Sequence, residues 1–408
     1  MFDRTSFETL QARRNEPAWL RERRRASFEA FERFPMPSRQ DEDYRRSDLR
    51  RFDLNAFQPA EPSATARPPK LKGAGNKDVV FCTLAEAVER HPDMVRPYLE
   101  DERVGADEDK WSALNGAFWT HGAFLYVPGG VEVSVPLQAT WTHPGGDRAT
   151  FTRTLVVADE WSNVTFIDDF GSAATSAATG GFNASVVDVV AKEGAAVRYY
   201  HLQNWSTGVW NFSRERLFGK RDSSLNLLQA ALGSRFTKAY VHAHLDEPGV
   251  NAELLGLTFI GGKQHVDHST LQNHRQGQTL SDLLFKCAML EDARSVYGGL
   301  IAIHPNAQRS DAYQNNRNLL LSPSARADSV PMLEIMANDV RCTHGSTTSS
   351  VDEEEVFYLM SRGLPRAQAE RMIVEGFFAN VLEKIPLAPV RHRLEQAIDE
   401  KIARLRFG

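Results

Sequence analysis

Short stretches of alternating apolar and polar residues fill the middle of the chain, from about Trp111 to residue 349. Segments such as TRTLVVAD, NVTFIDDF, ASVVDVVA and AVRYYHLQ alternate with a period of two, which places successive side chains on opposite faces of a β-strand. Helical periodicity is nearly absent from this region. The pattern therefore predicts a mainly β core over residues 111–349.

The turns between these strands resemble one another, since each sets a charged or glycine-rich corner before a small residue and the next strand. Counted at Val164, Val197, Leu225 and Val296, the steps are about 33, 28 and 71 residues, and the last step would span three coils of about 24 residues. Such a loose period favours a β-solenoid, in which each coil lays its strands on the coil below. A β-sandwich or a cupin barrel is the alternative that the pattern leaves open.

Amphipathic helices are predicted on both sides of the core. The N-terminal region, residues 1–110, contains the helical segment EPAWLRERRRASFEAFERFPMP and is interrupted near residues 58–77 by a linker rich in Pro, Ala and Gly. The C-terminal region, residues 350–408, opens with SVDE, in which Ser350 fits the N-cap and Glu353 the reciprocal position of a capping box. Helices at the two ends would cap the stack, because an open coil edge promotes aggregation.

The composition narrows the class of protein. The formal net charge of −5 argues against a strong nucleic-acid binder. No run of about 18 apolar residues is present, so we expect neither a membrane span nor a membrane partner. The first ten residues, MFDRTSFETL, lack the apolar core of a signal peptide, which predicts a cytoplasmic location.

The chain has three cysteines, Cys82, Cys287 and Cys342. They are widely separated and none belongs to a CxxC pair, so neither a disulfide framework nor a structural zinc knuckle is expected. Three thiolates are too few for the chain alone to hold a four-cysteine iron–sulfur cluster. Cys287 lies in the apolar segment LLFKCAML, which predicts a buried core cysteine.

Cys342 and His344 stand out because they lie two residues apart in NDVRCTHGSTT, where the strand pattern gives way to a helical one. On a strand, side chains at positions i and i+2 point to the same face, and a thiolate beside an imidazole suits ferrous iron or zinc. Two ligands do not complete a metal site, so further ligands would come from elsewhere in the fold or from another chain. The alternative is structural, with Cys342 as a small buried hydrophobe and His344 as a satisfied polar residue.

Other arrangements point to other classes of protein. Four more histidines lie in strand-like segments: His242, His244, His265 and His268. They would be the ligands of a stand-alone cupin-like metalloprotein, although we favour a structural role for them. An enzyme on a β-solenoid would need several carboxylates along one groove, whereas Asp168 begins the one adjacent acidic pair in the strand region that does not lie in a turn.

Two further enzyme classes are disfavoured. A hydrolase built on Cys342 and His344 fits poorly, because same-face neighbours on one strand are a poor geometry for a nucleophile and its base. The sequence contains neither GxSxG nor a P-loop, so we expect no ATP site in this chain.

Four longer segments can be compared with known families: YVPGGVEVSVPLQ, AQRSDAYQNNRNLLLSPSARADSVPMLEI, NDVRCTHGSTTSS and FYLMSRGL. Together with EPAWLRERRRASFEAFERFPMP, they resemble the SufB/SufD family of iron–sulfur cluster assembly scaffolds over nearly the whole chain. Within the family the chain resembles SufD more than SufB, since SufB proteins typically have Glu where Gly345 follows the Cys–x–His triplet. SufD proteins typically have CSHGAT, from which CTHGST departs mildly. A SufB-like paralogue is the alternative.

This resemblance implies a right-handed parallel β-helix core flanked by helical N- and C-terminal regions. It also implies a non-catalytic subunit that acts with SufB and the ABC-type ATPase SufC. His344 would help to receive iron or nascent cluster at the SufB interface, and Cys342 would be its neighbour with a less defined role. The isolated chain would hold no stable cofactor.

The resemblance also implies two kinds of partner surface. The β-helix end would meet SufB, and we expect an isolated chain to form a homodimer through the same end. The C-terminal helices would dock SufC, and four residues belong to that region by position: Phe357, Tyr358, Arg362 and Glu375.

Overall fold

The computed structural model describes most of the chain. The described residues are 2–60, 66–67, 78–104, 107–172 and 180–403. Most of the linker predicted near residues 58–77, namely 61–65 and 68–77, lies outside the described residues. No helix in the described ranges is long and apolar enough to span a membrane.

Helices occupy the two ends of the chain and strands occupy the middle. The helices are α1 (Arg4–Ala12), α2 (Ala18–Arg33), α3 (Leu84–Arg90), α4 (Pro92–Leu99), α5 (Lys110–Phe118), α6 (Glu353–Ser361), α7 (Arg366–Glu383) and α8 (Ala388–Ile402). The first strands are β1 (Gln58–Pro59), β2 (Ala66–Arg67), β3 (Val80–Thr83), β4 (Ala123–Val127), β5 (Leu137–His143), β6 (Arg148–Ala158), β7 (Asn163–Ser172), β8 (Gly181–Ala191), β9 (Ala196–Asn204) and β10 (Val209–Gly219). The remaining strands are β11 (Ser224–Ala231), β12 (Phe236–Leu245), β13 (Asn251–Ile260), β14 (His265–His274), β15 (Leu280–Met289), β16 (Arg294–Ile303), β17 (Asp311–Leu320), β18 (Arg326–Ile335) and β19 (Arg341–Ser350).

From β4 onward, even-numbered strands form one sheet and odd-numbered strands form the other, and neighbours within each sheet are parallel. Each consecutive pair of strands therefore makes one coil, and eight coils run from β4–β5 to β18–β19. Coils stacked about 4.8 Å apart give a rod of roughly 38 Å. The predicted β-helix is confirmed, and the sandwich and the cupin barrel are excluded.

The coil length was predicted correctly in part of the chain. Val164, Val197 and Leu225 occupy one register position in β7, β9 and β11. Val296 does not continue that series, because it lies in β16 of the other sheet. The coil of about 24 residues is therefore wrong, since the register pairs residues separated by 26, as in Trp210 and Phe236, to 33 positions.

The corners of the coil explain this error. The turn before Val296, in the segment LEDARSVYG, links an odd strand to an even strand, whereas the turns before Val164, Val197 and Leu225 link even strands to odd ones. Four-residue turns with one residue in the left-handed region occur at both kinds of corner: φ is 58° at Trp161, 65° at Gly194 and 54° at Glu291. The same corner chemistry thus occurs at both corners of a coil, and it cannot distinguish one sheet from the other.

The main hydrophobic core lies between the two sheets. Inward-facing side chains of both sheets fill it, including Val187, Leu217, Val241, Phe166 and Leu227. Polar side chains also lie in the interior, where they bond to one another. Asn183, for example, accepts from the Thr150 hydroxyl at 2.9 Å and donates to Asn211 at 2.8 Å one coil further on.

The helices cover the outer faces of the sheets. Around α2 and α5, Phe28, Trp111 and Phe118 pack against the outer face of the even sheet. Trp111, at the predicted start of the core, is thus helical, and the first strand of the parallel stack begins at Ala123. In the C-terminal region, α7 and α8 pack against the outer face of the odd sheet. Both faces of β8 are covered in this way, so that strand is buried at every position.

The expectation that helices cap both ends of the stack is wrong at the C-terminal end. The antiparallel strands β3 and β2 border the first coil. The last coil, β18 and β19 with the turn between them, carries no covering element in the described ranges and is mostly exposed. We call residues 326–350 the open coil.

The capping box predicted at Ser350 and Glu353 is also wrong. Ser350 is the last residue of β19, and Asp352 caps α6 by accepting a hydrogen bond of 2.8 Å from the Glu354 amide. Glu353 instead pairs with Arg366 at 2.6 Å. The strand register holds Ser350 beside Leu320, so the chain cannot turn into a helix before residue 351.

Candidate functional site

Cys342 and His344 lie on β19, the last strand of the odd sheet. The register pairs Cys342 with Ala312 and His344 with Gln314 of β17, one coil below. Ala312 and Gln314 are buried inside the solenoid. Side chains stacked in register share a face, so Cys342 and His344 both point to the interior side of the open coil.

This interior side is accessible because no described coil covers it. Cys342 is half-buried against the cluster that contains Ile303 and Ala312, and this burial, with the nearby Asp311 carboxylate, raises the pKa of its thiol. His344 is exposed, and in the part of the chain that the structure describes its imidazole has no hydrogen-bond or ion-pair partner. The structure therefore does not support the alternative in which His344 is a satisfied structural residue.

The facing wall of the open coil, β18, is largely apolar. Leu333 and Ile335 stack on residues of β16 that are fully buried, yet they are themselves 38% and 42% exposed. Farther along, Ser346 donates a hydrogen bond of 2.8 Å to Ser329, which ties the two walls together. The open coil thus presents an apolar strip beside a strip that carries a thiol and an imidazole.

The donor set is incomplete within this chain. Among the described residues, no group of three or more His, Cys, Asp or Glu side chains is close enough to hold a metal ion. A thiol and an imidazole supply two soft or borderline ligands, and a stable site usually needs four. The arrangement can therefore offer ligands to a metal only if further donors arrive from outside the described residues or from another molecule.

The remaining histidines of the cupin-like alternative do not converge. His242 and His244 lie on the outer face of β12, the same face as Phe236. The ring of His244 stacks on Phe218. His265 belongs to the outer face of β14, whereas His268 faces the interior beside Phe285. Burial lowers the pKa of His244 and of His268 to about 4, so both imidazoles stay neutral near pH 7.

The other two cysteines are not placed for chemistry. Cys287 is buried in the interior, as predicted, and burial raises the pKa of its thiol to about 12. Cys82 is half-buried in β3, where burial and the Glu86 carboxylate raise the thiol pKa to about 11. Both thiols are therefore protonated near neutral pH, and neither lies on the open coil.

The acidic pair that begins at Asp168 is split between two faces of β7. Asp168 points inward and accepts hydrogen bonds from the indole of Trp141 and the hydroxyl of Tyr199. Asp169 points outward and binds Arg393 of α8 through both carboxylate oxygens. A pair of carboxylates divided in this way cannot flank one substrate, so the solenoid-enzyme alternative loses its one candidate site.

The C-terminal helices carry the residues predicted to bind a partner. Phe357 is 73% exposed on α6, and Tyr358 beside it is also exposed. The Arg362 guanidinium lies over the Tyr358 ring and donates to its hydroxyl at 3.2 Å. Glu375 lies apart from this group on α7, where it accepts from Arg371 at 2.6 Å and lines a cleft of about 480 Å³ between α7 and α8.

Three polar contacts attach these helices to the solenoid. Arg393 of α8 binds Asp169, and Lys384 near the end of α7 binds Glu253 and Asp282 at 2.8 and 3.0 Å. The third contact comes from the sheet itself, where the Lys286 ammonium donates to a backbone carbonyl of α7. The C-terminal helices are therefore held against the odd sheet by these contacts as well as by their covalent link to β19.

The apolar half of the open coil was missed by the sequence analysis. Leu333, Ile335, Ser329 and Ser346 were not among the candidates, because SVPMLEI has apolar residues on both faces and matches an ordinary buried strand. The position of this strand in the chain could have revealed its exposed inner face. This is the penultimate strand before the helical region, so its inner face belongs to the last coil.

Comparison with known proteins identifies two matching family models. The SUF system FeS cluster assembly SufBD core domain matches residues 141–377, and the SufBD protein N-terminal region matches residues 66–139. An iron–sulfur cluster assembly protein SufD of Bacillus subtilis is 28% identical over 433 aligned positions, which cover 98% of each chain. SufBD family proteins of Staphylococcus epidermidis and Staphylococcus aureus are 29% identical over 76% of this chain and 66% of their own length.

Proposed function

Because the chain belongs to the SufB/SufD family of iron–sulfur cluster assembly proteins, we propose that it is the SufD-like, non-catalytic subunit of a cytoplasmic assembly scaffold. Its partners would be a SufB-like paralogue and a SufC-like ABC ATPase. Similarity to a SufD over 98% of both chains supports this role over that of a SufB-like paralogue.

The observation that carries the proposal is the open coil. Elsewhere in the solenoid the interior positions are sealed by the next coil. Here no described coil covers the interior side, so the His344 imidazole, which has no partner among the described residues, and the half-buried Cys342 thiol remain accessible. A donor set that is incomplete within the described residues suits a site shared between two subunits. Iron or nascent cluster would be the cargo received there, with the remaining ligands supplied by the SufB-like partner.

The same end has the features of a subunit interface. Strands β18 and β19 each have one edge that pairs with no other described strand, and an exposed strand edge is a template for pairing with another chain. Leu333 and Ile335 add apolar surface that would be buried by a second solenoid end. In the absence of the SufB-like partner a second copy of this chain would take that place, which gives a homodimer.

The ATPase would dock on the C-terminal helices. Phe357 and Tyr358 expose aromatic surface of the kind enriched at protein interfaces, with Arg362 stacked beside them and Glu375 farther along α7. Since Arg393 and Lys384 fasten these helices to the odd sheet, movement of a docked ATPase would be transmitted to the coils. Nucleotide-driven movement would in this way open the shared site to its cargo.

Replacing His344 with Ala tests the proposal in the complex purified with SufB- and SufC-like partners. We expect cluster yield, measured as iron and sulfide per complex, to fall by about tenfold or more, because a metal ligand is lost. The thermal melting temperature should not change, since His344 has no partner within the described chain. His91→Ala, at the junction of α3 and α4 and far from β19 in sequence, is the matched control. A normal cluster yield from the His344→Ala complex would count against the proposal.

A further inference from the structure

A pocket of about 290 Å³ lies on the outer face of the odd sheet beside α7, and the proposed function makes no use of it. Its lining combines strand and helix residues: Asp282, Leu284, Lys286, Tyr313, Asn315, Arg317, Asn380 and Lys384. The strand residues stack in register, so that Tyr313 lies over Asp282 and Arg317 lies over Lys286. The floor is therefore part of the rigid solenoid, and one wall is helix α7.

Three cations reach this pocket, and one of them is already neutralised. Lys384 binds both Asp282 and Glu253, so its charge is matched by carboxylates. Lys286 is only 4% exposed, and its ammonium donates to the Phe377 carbonyl and to Asn380, which are both uncharged acceptors.

Arg317 and Lys384 are both exposed, but only Lys384 has a carboxylate partner in the described ranges. The Arg317 guanidinium forms no hydrogen bond or ion pair within the part of the chain that the structure describes. The pKa of the Lys286 ammonium is lowered to about 8, mainly by burial and to a smaller extent by repulsion from the Arg317 charge. Two like charges held together without a carboxylate of their own are unfavourable, and a bound anion would relieve that repulsion.

We propose that this pocket binds a phosphate group, either free or carried by a small metabolite. Arg317 would grip two oxygens through its planar fork, Lys286 would supply a buried point charge, and the Tyr313 hydroxyl would donate to a further oxygen. The volume suits a ligand at the small end of the usual range of small-molecule sites. The Tyr313 ring is exposed and offers a face on which the rest of such a metabolite can stack.

A ligand in this pocket would contact both the solenoid and the C-terminal helices. Lys286 and Arg317 belong to β15 and β17, whereas the Phe377 carbonyl and Asn380 belong to α7. A phosphate bound between them would add a bridge from the C-terminal helices to the coil directly beneath β19. This inference does not depend on the SufB- and SufC-like partners.

The test measures phosphate binding by the purified chain alone. Titration calorimetry with inorganic phosphate, and thermal melting in phosphate against chloride at equal ionic strength, should both show binding. Arg317→Ala should weaken phosphate binding by about tenfold or more, as expected for loss of a charge-assisted bond. Arg45→Ala, another exposed arginine that forms no side-chain bond in the described ranges, should leave it unchanged.

Adenosine monophosphate distinguishes the two sources of the phosphate group. Equal affinity for the free anion and the nucleotide would mean that the phosphate alone is recognised. Tighter binding of the nucleotide, lost in Tyr313→Ala, would mean that the phosphate is carried by a stacking metabolite. Absence of binding to the wild-type chain, or equal weakening by Arg317→Ala and Arg45→Ala, would overturn the proposal. Either result would leave the role proposed for His344 untouched.

Discussion

At the scale of single residues, the interior of the solenoid holds ionisable groups in their neutral forms. Glu215 is fully buried with the Nδ1 atom of His201 3.2 Å from its Oε1 atom. Burial raises the pKa of the Glu215 carboxyl to about 8 and lowers the pKa of His201 to about 3. Near neutral pH the pair is therefore a protonated acid beside a neutral imidazole.

This predicts a pH dependence for Glu215→Gln. The raised carboxyl pKa makes the Glu215 contribution to stability complete below the ordinary pKa of about 4.5, and that contribution is lost as the pH rises toward about 8. Gln stays neutral at every pH. The free energy of unfolding of the variant should therefore rise relative to that of the wild type between pH 5 and pH 8, with a slope of at most about 1.4 kcal/mol per pH unit. Urea denaturation at several pH values measures this difference.

An exposed glutamate provides the control for that experiment. Glu354→Gln on the surface of α6 should run parallel to the wild type between pH 5 and pH 8. Parallel profiles for Glu215→Gln and the wild type would show that Glu215 is not protonated in the folded chain.

Single residues also show what sequence reasoning can and cannot reach. The i, i+2 spacing of Cys342 and His344 was enough to put them on one face of a strand. It could not tell whether that face is sealed, because sealing depends on whether another coil follows. For Cys287 the apolar neighbours in the sequence were enough to predict burial, since a residue on an inner strand is covered by a coil on each side.

At the scale of elements, β18 should govern self-association. Ile335→Lys replaces an apolar side chain, which is 42% exposed at the open coil, with a charged one. Burying an unpaired charge in an interface is unfavourable, so we expect the homodimer of the isolated chain to shift to monomer. Sedimentation or mass photometry over a concentration series measures the change.

The matched control is a similar side chain elsewhere. Val135 is 41% exposed and lies between β4 and β5, near the opposite end of the stack. Val135→Lys should leave the association constant unchanged. Equal effects of the two replacements, or a wild-type chain that is monomeric at every concentration, would contradict the assignment of the open coil as an interface.

The attachment of α8 makes a second prediction about elements. Asp169→Asn removes the charge that binds Arg393 through two hydrogen bonds while keeping the size of the side chain. Amide hydrogen exchange in α8 should become faster, since the helix loses a charge-assisted bidentate contact. Exchange within β7 itself should not change. If exchange in α8 is as slow as in the wild type, the apolar contacts alone hold the helix.

The elements also explain which parts of the fold were predictable. Alternation with a period of two identified strands across the middle of the chain, because each strand has one face toward the interior. The error at Val296 arose because the corners of both sheets share one turn chemistry, with positive φ at residues such as Trp161 and Glu291. The cap at Asp352 was missed by two residues, since the register of β19 is set by β17 and not by local sequence.

At the scale of the whole molecule, both helical regions pack against the solenoid, and no described element covers the open coil. The N-terminal helices cover the even sheet, and a buried ion network holds them, in which Arg216 binds Asp188 at 2.7 Å and Glu108 at 2.8 Å. The C-terminal helices cover the odd sheet. The direction in which the helical regions fold back could not be read from the sequence, because an amphipathic helix fits a sheet face as well as a stack end.

The central claim is that His344 gives its imidazole to iron or nascent cluster at a site completed by a SufB-like partner. The most direct test is electron–nuclear double resonance on the reduced, cluster-bearing complex, with ¹⁵N-histidine introduced into this chain alone. We predict a ¹⁵N coupling to the paramagnetic iron that disappears in His344→Ala and persists in His91→Ala. Absence of a ¹⁵N coupling in the wild-type complex, or its persistence in His344→Ala, would contradict the account.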